Sequence, residues 1–151
     1  TNPSNPLYNH QKRFLEKNPN VALLVWDCGS GKTRVACEWA KTRRPALIVC
    51  PKGLKENWRR ECEMWGLKNY KIISKEEFKK NAMWAMNQKE VFGYNVLIVD
   101  EADHFYSPMF KSQLSKAMRW YVTEYNPDRL FLSATPYRSS AWNIFVAASW
   151  R

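Results

Sequence analysis

Five short apolar runs recur along the chain: Val21 to Trp26, Ala46 to Cys50, Lys71 to Ile73, Val96 to Val99 and Leu130 to Leu132. They are rich in β-branched residues and too short for helices, so they are predicted as strands buried on both faces. Between them Thr33 to Lys41, Leu54 to Trp65, Lys75 to Met86 and Lys111 to Tyr125 carry apolar residues at helical spacing. Strands alternating with helices confine the chain to an α/β class, with a mainly parallel sheet and helices on both of its faces. A length of 151 residues suits one substantial core and is short for two, so residues 1–151 are expected to form a single domain. Ligands of such sheets bind beyond the carboxyl ends of the strands, which makes the residues just after each run the ones to inspect.

The first run leads into Asp27-Cys28-Gly29-Ser30-Gly31-Lys32-Thr33 and then directly into a helical pattern. A phosphate-binding loop belongs at that place. Gly29 and Gly31 let the backbone bend so that successive N–H groups, Ser30 among them, point inward, and the helix N-terminus adds partial positive charge. Lys32 is expected to reach the β- and γ-phosphates of a nucleotide, and the Thr33 hydroxyl to ligate Mg²⁺. A glycine turn that merely caps a helix is the plainer alternative.

The fourth run ends in Val99-Asp100-Glu101-Ala102-Asp103, which puts three carboxylates at the same edge. Asp100 suits a role in holding Mg²⁺ through its water shell, and Glu101 in orienting and deprotonating the attacking water. A solvated acidic turn has the same composition. The fifth run enters Ser133-Ala134-Thr135-Pro136, whose hydroxyls Asp103 could bond, coupling the nucleotide site to the Ser133 loop; a plain Ser/Thr turn before proline reads the same.

Taken in order, each at a strand end, the Gly-x-Gly-Lys-Thr loop, the Asp-Glu-Ala-Asp box and the Ser-Ala-Thr triplet resemble the first RecA-like lobe of superfamily two helicases, DEAD/DEAH-like and nearest the Swi/Snf-type ATPases. The resemblance covers nearly the whole chain. It implies a RecA-like P-loop NTPase lobe that binds ATP and Mg²⁺ and hydrolyses ATP to move along or remodel DNA, with RNA the second choice of track. Leu7-Tyr8-Asn9-His10-Gln11 looks like the family's adenine-reading segment, in which the Gln11 amide both donates to and accepts from the base. Cys50-Pro51-Lys52-Gly53 and the helix after it are similar to the first motif that contacts nucleic acid, and Ile72-Ile73-Ser74-Lys75-Glu76-Glu77-Phe78 to the segment that touches the tracking strand. The stretch from Leu114 through Ser133 to Trp142 and Phe145 fits the same branch. Departures are Trp26 where the general loop has glycine, Asp103 where Swi/Snf-type members usually have histidine, and Ser133-Ala134-Thr135 in place of Thr-Gly-Thr. The resemblance also implies a second RecA-like lobe C-terminal to Arg151 that supplies an arginine finger, so the 151 residues alone are expected to bind ATP weakly and hydrolyse it slowly.

The charge agrees with a polyanionic partner: 24 Lys and Arg against 14 Asp and Glu give a formal net charge of +10. An ordinary basic protein has the same balance, and a basic module that binds nucleic acid or a partner protein without turnover is the alternative function. The cysteines, Cys28, Cys37, Cys50 and Cys62, lack the close pairing of zinc ligands, so no structural metal is expected, and a reducing cytoplasmic setting suits them. The apolar runs fall far short of the ~20 residues of a membrane helix. His10 and His104 are given supporting or surface roles, Cys28 none, and Trp39, Trp58 and Trp120, at helical spacing, are expected in the core.

Overall fold

The computed structural model describes residues 9–25, 31–88, 94–101 and 113–133. Along the chain come α1 (Asn9–Lys17), β1 (Val21–Val25), α2 (Lys32–Ala40), β2 (Ala46–Cys50), a 3-10 turn (Lys52–Leu54), α3 (Lys55–Trp65), β3 (Tyr70–Ser74), α4 (Lys75–Gln88), β4 (Val96–Val99), α5 (Gln113–Tyr125) and β5 (Asp128–Ser133). The strands form one sheet in the order β1-β5-β4-β2-β3, with every pair parallel.

The period-two geometry of a strand sends alternate side chains to opposite faces. Ala46, Ile48, Cys50, Val96, Ile98, Leu130 and Leu132 enter one core with α2 and α3, and the α1 residues Phe14 and Leu15 pack against it. Leu47, Val49, Leu97, Val99 and Phe131 enter the other core with α4 and α5. Topology explains the division of helices. The steps from β1 to β2 and from β2 to β3 cross the sheet in one direction, while those from β3 to β4 and β4 to β5 return in the other. Right-handed crossovers must then lie over opposite faces on the outward and return journeys.

Helix faces follow the expected spacing. Trp58, Cys62 and Trp65 make the buried stripe of α3, and Phe78, Ala82 and Ala85 that of α4. On the exposed side of α3, Arg59 pairs with both Glu56 and Glu63. The helix stops at Gly66, which takes a left-handed conformation with φ 79°, and the following Leu67 N–H closes back on the Cys62 carbonyl at 2.9 Å. Trp39 and Trp58 are fully buried as expected, and Trp120 packs edge-on against Tyr125. Among the described residues no helix is long and apolar enough to cross a membrane.

Several elements exceed what the residue pattern predicts: β3 gains Tyr70 and Ser74, α4 runs on to Gln88, and α1 and β5 go further. Helix α1, nine residues long, is polar except for Phe14 and Leu15, too short and too polar for its apolar pair to be read as a helix face. Strand β5 begins at Asp128 rather than Leu130 and takes in a buried cation: Arg129, 1% exposed, donates through Nη1 to the Pro127 carbonyl at 2.8 Å and to Asn126 Oδ1 at 3.2 Å, while its buried Nε has no hydrogen-bond partner.

Candidate functional site

All five strands end at one edge, and the register fixes this: Val25 pairs with Ser133, Cys50 with Ser74, and Val99 with both Val49 and Phe131. Gly31, Lys32 and Thr33 at the start of α2, Pro51, Lys52 and Gly53 after β2, Ser74, Asp100, Glu101 and Ser133 therefore share the carboxyl edge. Strands β1 and β4 flank β5, so their ends stand about 10 Å apart, two inter-strand spacings. Gly29, Ser30, Asp103 and Thr135 lie outside the described residues, as do Asp27, Cys28, Ala102, His104, Ala134 and Pro136.

Gly31 begins α2 in a left-handed conformation, φ 74° and ψ 29°, which favours glycine. Its carbonyl accepts the first helical bond, from Val35 N at 3.1 Å, and a second from Gln11 Nε2 at 3.1 Å. A Cβ at this position would displace the Gln11 amide from the loop, and the positive φ itself favours glycine. Gln11 is 1% exposed, and one of its amide donors is directed to the loop backbone. Lys32, mostly buried, has no ion pair with any described residue.

The Asp100 carboxylate is held at both oxygens. Oδ2 accepts from the Trp58 indole N–H at 2.9 Å and Oδ1 from the Glu101 backbone N–H at 2.9 Å, while the Asp100 N–H donates to the Val49 carbonyl at 2.8 Å. The sequence pattern assigns Trp58 only to the core; its polar edge fixes an acid of the candidate site, and its place in an apolar stripe gives no sign of this. Glu101 has φ 50°. The other described non-glycine residues with positive φ are Asn18, Asn69 and Asn126, a residue type that tolerates this region, so Glu101 is the outlier and carries strain. Beneath the edge, burial pushes the Cys50 thiol up to about 12, with the Asp100 charge adding to the effect.

Ser74 has a structural task. Its hydroxyl accepts from the Glu77 N–H at 3.1 Å while its own N–H donates to Glu77 Oε1 at 2.9 Å, a reciprocal box that starts α4. The Lys55 ammonium, 2.7 Å from the same oxygen, ties in the start of α3. The Ser-x-x-Glu spacing is a readable signal of this cap. Ser74 is 3% exposed, whereas Lys52 and Gly53 are exposed and a Cβ on Gly53 would meet nothing within 4 Å. Ser74→Ala is expected to lower stability by about 1 kcal/mol, read from urea unfolding. The Lys55 ammonium, helped by the Ser74 N–H, holds Glu77 at about 2, below its usual 4.5. This contribution is present above pH 4.5 and fades as pH falls toward 2, so Glu77→Gln should flatten that part of the wild-type stability curve.

No family model matches the sequence. The chain is 27% identical over 154 residues to the transcript termination protein A18 of Yaba-like disease virus, an alignment covering 88% of this chain and 31% of that protein. In three dimensions it resembles the helicase domain of Hef from Pyrococcus furiosus, with a TM-score of 0.63 at 15% identity over 92% of this chain and 35% of that one. The chain thus spans about a third of the length of both. With five parallel strands and helices on both faces, the chain has the α/β fold of a RecA-like helicase lobe.

Proposed function

We propose that this chain is the ATP-binding lobe of a nucleic-acid-dependent helicase or translocase, with DNA the favoured track. The observation that carries the reading is the Asp100 carboxylate, fixed at both oxygens, beside a strained Glu101 on the edge where α2 presents Lys32. An ammonium, a hydroxyl, a helix N-terminus and two carboxylates make a donor set that fits a magnesium nucleotide. Lys32 would bind the β- and γ-phosphates, and the Thr33 hydroxyl and, through its water shell, Asp100 would hold the Mg²⁺. That ion, when bound, neutralises phosphate charge. Glu101 orients the attacking water and takes its proton. Gln11, whose amide bonds the loop at Gly31, reads the adenine edge. Asp103, Ser133 and Thr135 link nucleotide state to nucleic-acid contacts at Pro51, Lys52 and Gly53; Ser74, buried and bound into the start of α4, is not among them. A second RecA-like lobe completes the site with an arginine. The viral relative's name, a transcript termination protein, agrees with nucleic acid as the track.

Phosphate release, measured with duplex DNA, single-stranded DNA and RNA on this chain and on protein extended through the second lobe, tests the proposal. Slow turnover by the lobe and DNA-stimulated turnover by the longer protein are expected. Robust DNA-stimulated hydrolysis by the 151 residues alone would contradict the two-lobe mechanism. Absence of any nucleotide binding would favour the alternative, a nucleic-acid- or protein-binding module without turnover.

A further inference from the structure

The opposite edge of the sheet, where the strands begin, carries an open groove of about 500 Å³ lined by Arg44, Pro45, Asn69, Tyr70, Lys71 and Tyr94. We propose that this amino edge is a second binding surface for single-stranded nucleic acid, separate from the carboxyl-edge site. Both charged side chains lining the groove are cationic. Neighbouring Arg43 is fully engaged: Nε bonds Asp128 Oδ2 at 3.1 Å, Nη1 the Trp39 carbonyl at 2.8 Å, and the guanidinium lies 4.6 Å over the Trp39 ring. Arg44 and Lys71, by contrast, are exposed and form no ion pair with any described residue.

Two partly exposed aromatic rings accompany the cations, Tyr70 resting against one core and Tyr94 against the other. Strand β2 lies between β3 and β4, so Tyr70 and Tyr94 flank the Pro45 turn about two strand spacings, ~10 Å, apart. A second groove of about 380 Å³ shares Tyr94 and continues toward Tyr125 and Asn126. Its one carboxylate, Asp128, is the one that Arg43 neutralises. The backbone here is already tied down: Ala46 N–H bonds the Asn69 carbonyl at 3.0 Å, Asn95 N–H the Pro45 carbonyl at 3.1 Å, Asn95 Nδ2 the Arg44 carbonyl at 2.9 Å, and Tyr94 N–H the Tyr121 hydroxyl at 3.0 Å. Cations beside spaced aromatic faces suit a strand whose phosphates meet the charges while unpaired bases stack. A duplex keeps its bases stacked inside and a run of acidic side chains carries no rings of its own, whereas a single strand offers both phosphates and unpaired bases.

Fluorescence anisotropy of labelled dT20 with the full chain tests this. Arg44→Glu combined with Lys71→Glu is expected to weaken binding about 10-fold and to reduce the log-log salt slope by about 1.4, at ~0.7 for each phosphate no longer neutralised. Tyr94→Leu should weaken it about 5-fold or more. Binding of a fluorescent ATP analogue should stay unchanged in both, which separates this surface from the nucleotide site. The charge variant alters only exposed side chains, so the test holds even if Tyr94→Leu misfolds. Unchanged dT20 affinity in the charge variant, or no dT20 binding by the wild type, would overturn the proposal. So would an equal loss on duplex DNA, or competition by polyglutamate as effective as that by unlabelled dT20.

Discussion

Lys32→Ala should weaken binding of a fluorescent ATP analogue by about 30-fold or more, the scale on which removing one member of a buried charged contact costs ~2–5 kcal/mol. The side chain is mostly buried at the first position of α2, and among the described residues it has no carboxylate partner that would occupy it without nucleotide. The loss should fall on phosphate recognition, so ADP is expected to lose less than ATP and adenosine almost nothing. Nucleic-acid affinity at low salt should survive, because a single cation among 24 is removed and the candidate contacts at Lys52 and at the amino edge are intact. Parallel losses for ATP and adenosine would mean a general collapse of the site, and an unchanged ATP affinity would remove Lys32 from it altogether.

Trp58→Phe should lower ATP hydrolysis by about 10- to 100-fold in protein that contains both lobes, because hydrogen bonds to charged groups contribute about 1.5–3 kcal/mol and each 1.36 kcal/mol is a factor of ten. The variant keeps an aromatic ring in the buried stripe of α3 but deletes the N–H that meets Asp100 Oδ2 at 2.9 Å. The bond orients the carboxylate proposed to hold Mg²⁺, so the Mg²⁺ concentration for half-maximal activity should rise while Mg²⁺-free nucleotide binding stays as in wild type. A merely looser core would reduce stability without moving the Mg²⁺ requirement. That pattern, seen in a magnesium titration beside urea unfolding, would return Trp58 to a packing role.

The difference between these two residues shows where sequence reading reaches and where it stops. Lys32 stands in a contiguous string whose chemistry, glycine bend followed by cation and hydroxyl at a helix start, is local. Trp58 looks the same as Trp39 from the sequence, each an aromatic at helical spacing among apolar neighbours. Only folding shows that one indole N–H meets the Pro19 carbonyl at 2.8 Å and the other Asp100. The reciprocal cap of Ser74 and Glu77 falls between: its spacing is legible, but its connection to Lys55 on α3 is not.

By itself the sequence determined the class of fold, the five strands of the described residues and which short strings follow them, because periodicity and turn chemistry act over a few residues. Tertiary structure alone decided the strand order β1-β5-β4-β2-β3, and with it which distant residues become neighbours. Arg44, Tyr70 and Tyr94 belong to three separate segments and meet because β2 is inserted between β3 and β4. Order in a sheet follows from the direction and face of each crossover and from the packing of both cores at once, a balance over the whole chain that no local pattern encodes.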